Sequence, residues 1–164
     1  MRPIDLLVIH CTATPNGKAV SRETIRQGHL ARGFSDIGYH YLVQVDGSLI
    51  VGRPEEQVGA HAAVKGHHYN QTSLGIALIG GTGNGSVGLY TQAQWDSLKL
   101  MIESLMDRFE GARVCGHRDL SPDLDGDGQV EPCEWIKLCP CFDVSAWMAA
   151  KRTPAPQHIF REKV

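Results

Sequence analysis

The chain has 164 residues, of which 42% are apolar, so it can form one domain with a buried core. Its 16 basic and 18 acidic residues give a formal charge of −2, which disfavours binding to nucleic acids. No apolar stretch approaches the roughly 20 residues that cross a membrane, and no signal-peptide cleavage site follows the apolar N-terminal residues. We therefore expect a chain that is made in the cytoplasm, does not insert into membranes, and leaves the cell only with the help of other proteins.

The cysteines argue against a disulfide framework. There are five of them, an odd number, in a chain without a signal sequence. Cys139 and Cys141 lie two positions apart, too close for an unstrained bridge. We expect reduced thiols, one of which is available to a metal.

The first third of the chain alternates between strand and helix patterns. Residues 6–10 are apolar and predict a core strand. Ser21 is a typical helix N-cap and Gly33 a stop signal, which predicts a helix between them. Residues 39–45 and 49–51 flank an Asp-Gly pair, which is typical of an antiparallel hairpin.

The rest of the chain continues this alternation. Residues 74–79 are an apolar run between glycines and predict a strand buried on both faces. Thr91 and Gln94 form a capping box that begins the longest predicted helix, which ends near residue 110. A short strand at residues 113–115 and a helix at residues 144–151 follow.

These elements predict a single α/β domain, with a central mixed β-sheet flanked by helices and a functional site at one rim of the sheet. The sheet is mixed because the strands of a hairpin are antiparallel. We place the domain at residues 1–152, with an acidic insert at about 121–136, and a loose C-terminal tail at residues 153–164.

Two histidines and a cysteine are candidate metal ligands. His10 ends the first predicted strand, His117 follows the strand at residues 113–115, and Cys139 lies in KLCPCFD. The ends of adjacent strands meet at one rim of an open α/β sheet. Two imidazoles and one thiolate suit zinc and leave a fourth position for water. Spacing alone leaves open the alternative that these are buried or solvated structural residues.

Five segments occur in an order that resembles a known family. They are VIHCTAT, IGYHYLVQVDGSLIVGRP, GAHAAVKGHHYNQTSLGIALIGG, VCGHRDLSPD and KLCPCFDV. Together they resemble the type 2, zinc-dependent N-acetylmuramoyl-L-alanine amidases, which include small phage lysozyme-like amidases and are related to animal peptidoglycan recognition proteins. The resemblance extends over about residues 4–147.

The resemblance implies an enzyme that hydrolyses the amide between the lactyl group of N-acetylmuramic acid and L-alanine in bacterial peptidoglycan. It places the zinc ligands at His10, His117 and Cys139, and the catalytic residues at Tyr39 and Lys137. A cysteine ligand, where intracellular recycling relatives carry aspartate, favours the wall-degrading branch. Zinc would activate the scissile carbonyl or the attacking water, Lys137 would stabilise the oxyanion, and Tyr39 would hydrogen-bond the reacting groups.

Two further residues, His61 and Asn70, lie in the segment that contributes to the substrate loop. We predict that both line the substrate groove. His40 and Cys11 are strand neighbours of the predicted site residues, so we expect their side chains on the opposite faces and away from the metal.

The acidic insert contains D-x-D-x-D-G-x5-E, the spacing of an EF-hand calcium loop. The segment before it has no helical pattern, and a proline interrupts the segment after it, so a solvated acidic turn is the alternative. The predicted calcium ligands are Asp123, Asp125, Asp127, Gln129 through its backbone carbonyl, and Glu134.

The sequence therefore predicts an endolysin-like, monomeric amidase whose partner is bacterial peptidoglycan and whose cofactor is Zn²⁺, with Ca²⁺ as a second ion. It would act on the cell wall after release or delivery by other proteins, or on wall fragments as a recycling enzyme. The alternative of a different class is a non-catalytic peptidoglycan-binding module. A calcium sensor would require paired calcium loops, and the sequence has one.

Overall fold

The structure, a computed structural model that describes residues 2–83 and 89–161, is built around a mixed five-stranded sheet. Its elements in chain order are the strands β1 (Leu6–Cys11), β2 (Thr14–Pro15), β3 (Tyr41–Val43), β4 (Leu49–Val51), β5 (Ser73–Leu78), β6 (Gly81–Thr82) and β7 (Arg113–Gly116). The α-helices are α1 (Arg22–Leu30), α2 (Tyr69–Thr72), α3 (Gln92–Arg108) and α4 (Val144–Ala149). Short 3₁₀ turns occupy His117–Leu120, Pro132–Glu134 and Pro156–His158.

The strand order across the main sheet is β4-β3-β5-β1-β7, and β2 and β6 form a separate pair. The central strand pairs are parallel: β1 with β5, β1 with β7, and β3 with β5. The hairpin of β3 and β4 is antiparallel. The prediction of an α/β fold with a mixed sheet is confirmed.

Strands β1 and β5 are apolar throughout because both of their faces are covered. All six residues of each strand are buried. Leu7 and Ile9 belong to the apolar cluster that contains the buried face of α3, whereas Leu6 and Val8 belong to a second cluster with Cys115. The alternation along β1 therefore gives consecutive residues different surroundings.

Local signals set the helix starts. The Ser21 side chain accepts a hydrogen bond from the Thr24 N–H at the start of α1, and both bonds of the Thr91 and Gln94 capping box are present at α3. Helices α1, α3 and α4 each end about two residues before the predicted end, and α2 was not predicted. Among the helices that the structure describes, none has the length and apolar character needed to cross a membrane.

The prediction of a loose tail is wrong for residues 153–161, and residues 162–164 lie outside the described residues. The His158 carbonyl accepts the N–H groups of Leu89 and Tyr90 at 3.0 and 3.2 Å, and the Phe160 N–H donates to the Tyr90 carbonyl at 2.7 Å. Ile159 packs against the main core. These backbone bonds do not depend on side-chain identity, so the sequence pattern gave no sign of them. The domain boundary at residue 152 stays a prediction.

Candidate metal centre and its surroundings

Parallel pairing of β1 with β7 brings the two candidate histidines together. Ile9 lies opposite Gly116 in the register of this pair, so the next residue of each strand, His10 and His117, is found at the same rim of the sheet. The centroids of the two imidazole rings are 4.5 Å apart. Both side chains are buried.

Backbone hydrogen bonds bring Cys139 to the same rim. The Arg118 N–H donates to the Cys139 carbonyl at 2.9 Å, and the Cys11 N–H donates to the Cys139 Sγ at 3.0 Å. As a result the Cys139 Sγ lies 3.8 Å from the His10 Nδ1. Residues more than a hundred positions apart in the chain thus form one cluster.

Further contacts on both sides of Cys139 hold the segment that carries it. The buried Tyr90 hydroxyl donates to the Pro140 carbonyl at 2.7 Å. Gly116 makes room for this segment, because a Cβ atom at Gly116 would lie only 2.8 Å from the Pro140 Cδ. The Gly116 N–H donates to the Asp119 carboxylate at 2.7 Å, which holds the turn after β7.

The cluster fits a zinc ion. One ligand atom from each of His10, His117 and Cys139 lies within 4.8 Å of the other two. Two imidazole nitrogens and one sulfur are the donor set of catalytic zinc sites with a fourth position for water or substrate.

The electrostatics of the cluster favour neutral imidazoles, which are the form that coordinates metals. Burial lowers the pKa of His10 well below its ordinary value, and the nearby His117, His61 and Lys137 act in the same direction. Burial, followed by the charge of Lys137, lowers the pKa of His117 to about 4. Both rings are therefore neutral at neutral pH, each with a proton on one nitrogen only.

A cavity of about 180 Å³ opens beside this cluster and contains both predicted catalytic residues. The Tyr39 ring centroid is 5.2 Å from that of His10, and its hydroxyl donates to the Cys11 carbonyl at 3.4 Å. Burial raises the pKa of Tyr39 above its ordinary value, with the neighbouring thiols adding to the effect. Lys137 is exposed at the mouth of the cavity.

Several residues of the cavity wall were not found from the sequence. Thr12 follows the end of β1, His29 lies in the last turn of α1, and Arg32 and Phe34 follow that helix. A helix-stop glycine is a signal for chain reversal and carries no information about which side chains turn toward the site. A tertiary structure is needed to place them.

The two predicted substrate-groove residues differ in position. His61 lines the cavity and is 7% exposed. Asn70 does not line it, and its side-chain oxygen accepts the N–H groups of His61 and Ala62 at 3.0 and 2.9 Å. A contact of either residue with substrate stays a prediction. His40, expected to lie away from the metal, accepts the Gly75 N–H through its Nδ1 at 3.0 Å and is outside the metal cluster. The same expectation is wrong for Cys11, which lines the cavity together with Cys139.

The acidic insert forms two carboxylate groups that share Asp125. One contains Asp123, Asp125 and Glu134, and the other contains Asp125, Asp127 and Glu131. Many of these carboxylates accept backbone N–H groups of the same loop; Asp123, for example, accepts those at positions 126 and 128. Of the predicted calcium ligands, Asp127 is not in the group of Asp123 and Glu134. Calcium binding, including the role of the Gln129 carbonyl, stays a prediction.

The sequence model of the family described as N-acetylmuramoyl-L-alanine amidase matches residues 1–133. The chain belongs to this family. The match includes His10 and His117, and it ends before Cys139, which the structure nevertheless places with them.

Comparison with individual relatives is consistent with this family assignment. The endolysin of Escherichia phage T7 is 34% identical over 145 residues, which span 87% of this chain and 84% of the endolysin. The N-acetylmuramoyl-L-alanine amidase LysC from Clostridium intestinale has a similar structure, with a TM-score of 0.68, 28% identity, and coverage of 92% of this chain and 85% of LysC. Drosophila PGRP-LB shares the fold, with a TM-score of 0.65 at 24% identity, covering 97% of this chain and 84% of that protein.

The position of Asn70 predicts a role in holding the loop around His61. Asn70→Ala removes an acceptor for two backbone N–H groups, so we expect it to lower the free energy of unfolding by roughly 1–3 kcal/mol in urea titrations. Asn70→Asp keeps the acceptor and serves as the matched control. Unchanged stability of the alanine variant, together with a raised KM for peptidoglycan, would favour the substrate contact instead.

Thermal unfolding tests the prediction that the acidic insert binds calcium. If the loop binds Ca²⁺, adding Ca²⁺ to chelator-treated protein raises the melting temperature by mass action, and Asp125→Asn abolishes the rise because Asp125 belongs to both carboxylate groups. Differential scanning fluorimetry measures this, with Mg²⁺ as the ionic control. An unchanged melting temperature on addition of Ca²⁺ would leave the solvated acidic turn as the explanation.

Proposed function

We propose that this chain is a zinc-dependent N-acetylmuramoyl-L-alanine amidase that cleaves the lactyl–L-alanine amide of bacterial peptidoglycan. The observation that carries the proposal is the convergence of His10, His117 and Cys139 at one cavity that also contains Tyr39 and Lys137. Relatives named as endolysin and as N-acetylmuramoyl-L-alanine amidase support the reaction class and a cell-wall substrate.

In this proposal His10, His117 and Cys139 hold the zinc ion. When bound, zinc supplies Lewis acidity to the scissile carbonyl and lowers the pKa of water to about 7. The neutral state of both histidines, imposed by burial and by Lys137, means that no proton has to be displaced from either imidazole at neutral pH.

The two catalytic residues have separate roles in this proposal. The Lys137 ammonium group, at the mouth of the cavity, stabilises the negative charge that develops on the scissile carbonyl oxygen. Tyr39 stays protonated because burial raises its pKa, so its hydroxyl donates a hydrogen bond to the reacting groups and is not the general base.

The first test combines product analysis with metal analysis. We expect the parent protein to release stem peptides that begin with L-alanine from purified peptidoglycan, detected by mass spectrometry, and to contain about one zinc ion. Cys139→Ser should lose most of the zinc and the activity, because it replaces the thiolate ligand. Cys133→Ser, at an exposed cysteine of the same region, is the matched control and should behave like the parent.

The alternative function has a distinct outcome in the same experiment. Peptidoglycan that stays intact with the zinc-loaded parent protein, while the protein binds it, would mean a non-catalytic peptidoglycan-binding module. Hydrolysis that is limited to soluble wall fragments would instead mean a recycling enzyme.

The second test separates Lys137 from the metal. Lys137→Met removes the charge that faces the developing oxyanion, so we expect kcat to fall by about 10²–10³-fold with zinc content unchanged. Lys65→Met, at another exposed lysine, is the control. A kcat within error of the parent would remove Lys137 from the mechanism, and Tyr39→Phe tests the tyrosine hydroxyl by the same measurement.

A further inference from the structure

His61 is in direct contact with a candidate zinc ligand. The His10 Nδ1 lies 3.8 Å from the Cys139 Sγ, so this nitrogen is on the side of the metal cluster. The other nitrogen of the same ring, Nε2, lies 3.0 Å from the His61 Nδ1. His10 is fully buried and His61 is almost so, which places this contact in the protein interior.

The two contacts define the direction of the hydrogen bonds. If the His10 Nδ1 binds the metal, the single proton of the neutral His10 ring is on its Nε2. That Nε2–H group then donates to the His61 Nδ1. The His61 proton is then on its own Nε2, which lies 3.3 Å from the hydroxyl of Ser73, a fully buried residue of β5. Ser73, His61 and His10 thus form a continuous chain that ends at the metal cluster, and neither His61 nitrogen remains without a protein partner.

The protein backbone is shaped to hold the His61 ring. A Cβ atom at Gly75 would lie 2.5 Å from the His61 Cγ, and a Cβ atom at Gly59 would lie 2.5 Å from the His61 Cδ2. These separations are far shorter than the roughly 3.5–4.0 Å of a favourable non-bonded contact between two carbon atoms. Glycine at both positions lets the backbone approach the ring from β5 and from the preceding loop, which fixes the ring plane.

We propose that His61 is a positioning residue that orients His10 toward the metal, with Ser73 orienting His61 in turn. The inference rests on the proposed function in one respect, which is that His10 is a zinc ligand. Outer-shell partners of this kind fix the tautomer and ring orientation of a ligand histidine and raise its basicity, and their loss typically lowers metal affinity 10- to 100-fold. The sequence prediction assigned His61 to the substrate groove, whereas this geometry assigns its nitrogens to the metal site.

The test measures zinc affinity of the full chain by competition with a chromophoric chelator. His61→Leu removes the acceptor, and we expect a roughly 10- to 100-fold weaker zinc affinity. His61→Asn is the matched variant, because its amide oxygen can take the place of the Nδ1 acceptor, and it should recover most of the loss. His67→Leu, at an exposed histidine of the same loop, should leave the affinity unchanged.

Cobalt substitution gives a second readout that does not depend on activity. A changed orientation of His10 should alter the visible absorption spectrum of the Co²⁺-loaded His61→Leu variant, and His61→Asn should restore the parent spectrum. If His61→Leu does not fold, Ser73→Ala removes the next partner of the chain and should weaken zinc binding in the same direction. Parent-like affinity and spectrum in the folded variants overturn the inference.

Failure of this inference differs from failure of the proposed function. A parent protein that binds zinc and hydrolyses peptidoglycan, with a His61→Leu variant of equal zinc affinity and raised KM, would return His61 to the substrate groove. A parent protein that binds no zinc would remove the proposed function together with the inference.

Discussion

Parallel pairing of β1 with its two neighbours is the constraint on which the site depends. Strands β5 and β7 flank β1 in parallel, so the C-terminal ends of all three strands lie at one rim of the sheet. His10, near the end of β1, and His117, directly after β7, are therefore adjacent because of the strand pairing itself. Cys139 is held by the amide groups of Cys11, the last residue of β1, and Arg118, in the turn after β7. A shift in the register of β7 by one residue would move His117 away from His10.

Glycines allow the residues at this rim of the sheet to pack closely together. Gly116 permits the approach of Pro140, and Gly59 and Gly75 permit the approach of the His61 ring. At each position a methyl group would overlap with an atom of the site. The glycines therefore contribute to the candidate metal centre through the space that their missing side chains leave free.

The charge distribution of the cavity is consistent with its proposed chemistry. Among the residues that the structure describes, those lining the cavity include Arg32, Lys137 and three histidines, and none is a carboxylate. Burial and the nearby Lys137 keep the candidate ligands His10 and His117 neutral, so they are available to a metal at neutral pH. The same positive potential favours a transition state in which negative charge develops on a carbonyl oxygen. Burial thus leaves the candidate ligands in their metal-binding form, while the cationic side chains match the proposed stabilisation of the oxyanion.

The sequence by itself determined the local elements and the order of the motifs. The capping box at Thr91, the hairpin around Asp46 and Gly47, and the two-sided burial of β5 follow from short-range chemistry and were predicted. The contacts of Asn70, the bond between His61 and His10, and the docking of residues 153–161 were decided by the tertiary structure. Those contacts join residues that are distant in the chain or depend on the absence of a Cβ atom, and neither the periodicity of a segment nor its local propensities contain that information.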